Sequence, residues 1–244
     1  MTGRFKQYQT LMCQFSDAAC ATPQSHRSAQ DAFEAFISRS EFPCVGARSA
    51  LNRGRLRYAH FRELGTASVA RPLRDALAEF SDEYRDPGGQ PVSFIATFES
   101  AVSSEDEFER KLWSQLQSLH DVDHLQSPWN PSVSSNPMDA EFSMSVAGRA
   151  FFVVGMHPAA SRLARRSPTP LLVFNFHDQF VAMKESGKYA SMQTAIRRRD
   201  IELQGSINPV LARFGEASEA RQYSGRAVPA SWTCPFSRRS AQRV

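Results

Sequence analysis

The sequence predicts an α/β (α+β) fold: a single domain with a mixed sheet of about five strands, including one hairpin, flanked by helices. Three observations predict it. Short apolar runs rich in β-branched and aromatic residues alternate with stretches of helical period. Two of those runs, FSMSV and RAFFVVGM, abut across Ala147 and Gly148, as in a hairpin. The 244 residues carry no internal repeat and suffice for one large core.

The elements follow in order. Residues 1–28 are polar and aperiodic, a loosely ordered leader ahead of a domain over 29–240. From Ala29 to Ser38 the positions Phe33, Phe36 and Ile37 fall at helical spacing, and EFPCVGA ends that helix at Pro43. LRYAHF reads as a strand, and RPLRDALAEFSDEY as a helix with Leu73, Leu77 and Phe80 on one side. After the turn signal DPGGQP, VSFIATF reads as a buried strand. SSEDEFERKLWSQLQSLH then reads as a helix capped by Ser104, with acids in its first turn. The proline- and serine-rich loop 121–139 is long enough to be functional or disordered. The hairpin, the strand LLVFNF and a helix from Tyr189 to Leu203 follow, then a polar, turn-rich tail with a helical piece near Glu216.

Composition excludes several classes. With 41% hydrophobic and 22% charged residues the chain is an ordinary globular protein. A formal charge of +4 is too weak for a nucleic-acid face. No apolar run nears the roughly 18 residues of a membrane helix, and the amino terminus lacks a secretory apolar core. Cys13, Cys20, Cys44 and Cys234 form no zinc spacing, and the absence of C-x-x-C-H excludes covalent haem attachment. A cytoplasmic protein with reduced thiols is expected.

The candidate chemistry lies between residues 148 and 180. Two strand-like runs end on His157 and His177, with Arg162, Arg165 and Arg166 between them. In G-M-H-P the histidine has a fixed direction, which suits a metal ligand, although the residues alone favour a turn histidine hydrogen-bonded to backbone. Asp178 is expected to cap the helix after His177. Spaced three and four apart, the arginines would share one side of a short helix, able to bind carboxylates or to face solvent. Glu216 and Glu219, three apart, would share a helical face close to Arg221, Tyr223 and Arg226. That face suits a cation or proton transfer, or a surface ion-pair network. Cys234 in W-T-C-P-F is a thiolate ligand or a buried apolar cysteine. His120 and His124 straddle a helix end and read as surface.

GRAFFVVGMHPAASRLARR, LLVFNFHDQF, IRRRDIELQGSINPVL, FGEASEARQYSGR and WTCPF succeed one another as in the YqcI/YcgG family, which the chain resembles over roughly residues 30–236. FPCVGA, SFIATFES and EFERKLWSQLQSLH are similar to the same family. The resemblance implies non-covalent haem b and a guanidino N-oxygenase. Members N-hydroxylate L-arginine on the way to the antibiotic D-cycloserine, or a cyclic guanidine in guanitoxin formation. It implies His157 as the iron ligand, favoured by Gly155 and Pro158, with His177 and Cys234 as alternatives. Arg162, Arg165 and Arg166 would hold the propionates. Glu216 and Glu219 would meet the substrate cation with Tyr223 beside them, and Arg221 would take its carboxylate. Expected partners are a guanidino substrate, O₂, an electron donor not identified by the sequence, and a second copy of the chain. The alternatives are a non-catalytic haem-binding or haem-sensing protein and a haem-free small-molecule binder.

Overall fold

The computed structural model describes residues 21–87, 89–209 and 216–239. Residues 1–20 of the expected leader lie outside this set, but residues 23–28 already belong to the first helix. That helix, α1 (Pro23–Ser38), starts with Pro23 in its first turn and with the Ser25 amide donating to the Thr22 hydroxyl at 3.2 Å. The other elements are α2 (Val45–Asn52), β1 (Leu56–Phe61), α3 (Ala67–Glu83), β2 (Ser93–Phe98) and α4 (Glu105–Asp123). Then come β3 (Met144–Val146), β4 (Arg149–Met156), a single 3₁₀ turn (Leu163–Arg165), β5 (Leu171–Phe176), α5 (His177–Glu185), α6 (Lys188–Gln204) and α7 (Ala220–Tyr223). Helix α3 begins a turn before the expected Arg71, with Pro72 inside it.

The five strands form one sheet in the order β1-β2-β5-β4-β3. β1 and β2 are parallel, joined by the α3 crossover, and the remaining pairs are antiparallel. The sheet is therefore mixed, as the alternation of elements predicts. The hairpin turn has positive φ at both Ala147 (52°) and Gly148 (72°). Asp123 steadies it by accepting the Ala147 amide at 3.0 Å.

Alternation along the strands divides the core in two. Phe94, Ala96, Val153, Phe174 and Phe176 join the α3 and α4 side chains in the larger cluster. Ile95, Met156, Leu171 and Val173 point the other way, toward α1 and the Phe42 ring. Of the expected loop 121–139, residues 121–123 complete α4 and the rest is fastened down. Asn130 donates to the Gly148 carbonyl at 2.8 Å, and Trp129 packs against His120 and Phe236. Among the described residues no helix is long and apolar enough to cross a membrane.

Candidate functional site

A cavity of about 280 Å³ opens on the second face of the sheet. Its floor is Leu56, Ile95, Val154, Met156 and Val173, and its sides are Phe33, Ile37 and Phe42. Helix α6 forms the roof with Tyr189, Met192, Gln193, Ile196, Arg197 and Asp200, a stripe of helical period. The inward apolar residues Tyr189, Met192 and Ile196 are only half-buried, because they look into space rather than onto the sheet. An apolar slot with a few polar groups at its margin is what a ligand site requires.

Cys44 lies on the cavity wall, at the N-cap of α2. Its Sγ accepts the Ala47 amide at 3.4 Å. A Cβ placed on Gly46 would stand 3.9 Å from both Cys44 Sγ and Met192 Sδ, so the thiol faces the α6 roof across a glycine. Burial pushes the thiol pKa up, while the Ala47 and Gly46 amides and the Arg165 cation oppose that rise. Arg165 is itself buried, and its guanidinium donates to two carbonyls, Gly155 O at 2.8 Å and Gln222 O at 3.3 Å. Burial lowers its pKa to about 10, against the pull of Cys44 and Asp200. Asp200 is already engaged: Arg162 Nη2 donates to its Oδ2 at 2.7 Å.

The expected ligands sit elsewhere. Parity along β4 sends Met156 to the cavity and His157 to the opposite face, where its ring stacks on Phe108 at 4.2 Å. Its Nδ1 makes no hydrogen bond among the described residues, and burial lowers its pKa to about 4. His157 is thus a neutral core residue whose backbone amide pins the 3₁₀ turn through Arg165 O at 3.0 Å. His177 opens α5, with Nδ1 3.7 Å from Glu219 Oε1, and does not line the cavity. Cys234 packs against the α3–α4 core, and burial raises its thiol to about 12. Among the described residues no histidine lines the cavity.

The three arginines between the strands diverge, because the segment holds one 3₁₀ turn rather than an α-helix. Arg162 and Arg165 reach the cavity, whereas Arg166 closes its own loop by donating to Ala160 O at 2.8 Å. Arg221 donates to the carbonyls of Trp232, Val228 and Pro229 and stays away from the cavity.

Glu216 and Glu219 share no helical face, since α7 starts only at Ala220. Glu216 is exposed, while Glu219 is buried and accepts the Ser143 hydroxyl at 3.1 Å. Tyr223 lies in the same region, with its hydroxyl accepting the Met144 amide at 3.2 Å and donating to Phe151 O at 3.3 Å. Of the proposed catalytic set, Glu219 and Tyr223 thus come together, and the cavity takes neither. Burial raises the Glu219 carboxyl to about 8. The unfolded chain loses this proton near the ordinary carboxylate range and the native chain only near 8, so this group reduces stability as pH rises through that interval. Glu219→Gln is therefore expected to gain more stability over wild type at about pH 9 than at about pH 5, measured by urea unfolding. An equal gain at both pH values would show that the carboxyl is not held protonated.

Sequence reasoning missed Cys44, treating its segment as a helix break. The signal was there in F-P-C-V-G-A, a thiol directly after a proline and before a helix. Of Arg197, Arg198 and Arg199, which follow one another around α6, Arg197 alone among the described residues lines the cavity. No curated protein and no solved structure shows significant similarity to the chain. The family model described as the YqcI/YcgG family matches residues 33–237, so the chain belongs to the YqcI/YcgG family.

Proposed function

We propose that this protein is a haem-dependent monooxygenase that N-hydroxylates a guanidino compound such as L-arginine, with non-covalent haem b in the sheet-face cavity and Cys44 as the iron ligand. The observation that carries this reading is a cysteine, Cys44, on the wall of an apolar slot that the buried Arg165 also lines. Among the described residues the buried Arg165 guanidinium donates only to carbonyls, and the Asp200 carboxylate that draws on it is already paired with Arg162, so Arg165 has no counter-charge of its own, which is costly. A thiolate at Cys44 would supply it.

The donor set fits a haem. Cysteine thiolate is an established axial ligand, and N–H groups at a helix start support a sulfur anion. The floor of the cavity is apolar and the roof presents Tyr189, Met192 and Ile196 to a flat ring, while Arg162 and Arg165 bring positive charge to the lining. When bound, the haem would supply reductive O₂ activation and transfer of one oxygen atom to a guanidino nitrogen. The chain's own part is distinct. Cys44 would hold the iron as its thiolate, Arg165 would offset that charge, and the apolar walls would exclude water. This reading moves the ligand role from His157 to Cys44, because β4 parity turns His157 away from the slot.

The test is to supply haem-loaded protein with a reductant, O₂ and a panel of guanidino compounds, and to read products by mass. One compound is expected to gain one oxygen. Haem uptake with no oxygen gain across the panel would favour a haem-binding or haem-sensing protein, and absence of haem uptake would refute the cofactor.

A further inference from the structure

We infer that Arg197 and Asp200 on the α6 roof form a substrate-reading pair, Asp200 taking a planar cation and Arg197 a carboxylate. This deepens the reading above and rests on it for the identity of the reaction. Among the described residues Asp200 is the one carboxylate lining the cavity. Its Oδ2 is saturated by Arg162 Nη2 at 2.7 Å and the Asn208 amide at 2.9 Å. Its Oδ1 accepts no hydrogen bond among the described residues, and a carboxylate has lone pairs for a second fork of N–H donors.

Arg197 lies one turn earlier on the same stripe, half-buried, with no hydrogen bond or ion pair among the described residues. Arg162 and Arg165, the other cavity arginines, are both engaged. Although three residues apart, Arg197 and Asp200 form no ion pair with each other. Arg197 therefore remains available to a carboxylate on the ligand, and Asp200, although paired with Arg162 through Oδ2, keeps Oδ1 for a cation. A ligand with a guanidinium at one end and a carboxylate at the other answers both, and Arg162 keeps the Asp200 carboxylate fixed in place.

The test titrates L-arginine, L-citrulline (the neutral ureido isostere) and agmatine (no carboxylate) into the protein, with and without haem, by calorimetry. L-Arginine is expected to bind at least about tenfold more tightly than either analogue, the usual cost of losing a charged hydrogen bond. Arg197→Gln should bring L-arginine down to the agmatine level, and Asp200→Asn should erase the preference over L-citrulline. Because Asp200→Asn also strips Arg162 of its partner, Asp200→Glu is measured beside it and should keep the preference for the cation.

Equal binding of L-citrulline and L-arginine by the wild type overturns the Asp200 assignment without any variant. If Arg197→Gln loses haem yet keeps the arginine-to-agmatine ratio, Arg197 serves the cofactor and its assignment fails. Discrimination by protein that takes up no haem would uphold the pair and refute the haem reading.

Discussion

Cys44→Ser is expected to lose haem, with affinity falling about 100-fold or more. Even removal of a partner that merely orients a metal ligand costs 10–100-fold. The substitution isolates the ligand role, because serine is a better N-cap than cysteine and keeps the bond from the Ala47 amide. The fold should remain intact, as circular dichroism and the thermal midpoint would show. By contrast, His157→Asn should change stability, through its packing on Phe108, and leave haem uptake near wild type. Loss of haem in the histidine variant with retention in Cys44→Ser would reverse the assignment.

The second large effect is structural. Gly155→Ala should destabilise the protein by about 3 kcal/mol, the upper part of the overpacking range. An added Cβ would stand 2.6 Å from Phe108 Cε1, 2.8 Å from Leu112 Cδ1 and 2.8 Å from the Tyr223 carbonyl oxygen. The two side chains can shift a little, but the carbonyl belongs to α7 and moves only if that helix lifts from β4. The same glycine's carbonyl accepts Arg165 Nη1 at 2.8 Å, so the strain reaches the cavity wall as well. Urea unfolding measures the loss, and a midpoint within error of wild type would show that α7 is not seated on β4 as described. Total stabilities of domains are about 5–15 kcal/mol, so the variant should also express poorly.

The strands were legible because each is an apolar run bounded by turn signals, and the hairpin because Ala147 and Gly148 interrupt the run at the right place. Helix α2 was not. It has eight residues, a single buried position, Ala50, and follows a proline, so local pattern favours a break. The site was half legible for a related reason. Alternation already says that Met156 and His157 face opposite ways, but nothing local says which face of the sheet is covered by helices and which is hollow. That depends on α6 standing off the sheet, a long-range matter. Its inward stripe mixes Tyr189, Met192 and Ile196 with Gln193, Arg197 and Asp200, so the helix shows little amphipathic contrast. The pairing of Glu216 with Glu219 failed because it assumed helix through the whole segment, whereas the Ser218 hydroxyl accepts the Ala220 amide and starts α7 later.

The central claim is a cysteine-held haem in the sheet-face cavity, and the carbon monoxide complex of the reduced, haem-loaded protein tests it most directly. Histidine and cysteine thiolate give that complex clearly different Soret positions. The strongly red-shifted band of a thiolate-ligated haem is the expected result, present in wild type and absent in Cys44→Ser. A band at the position typical of histidine-ligated haem, unchanged in Cys44→Ser, would contradict the account.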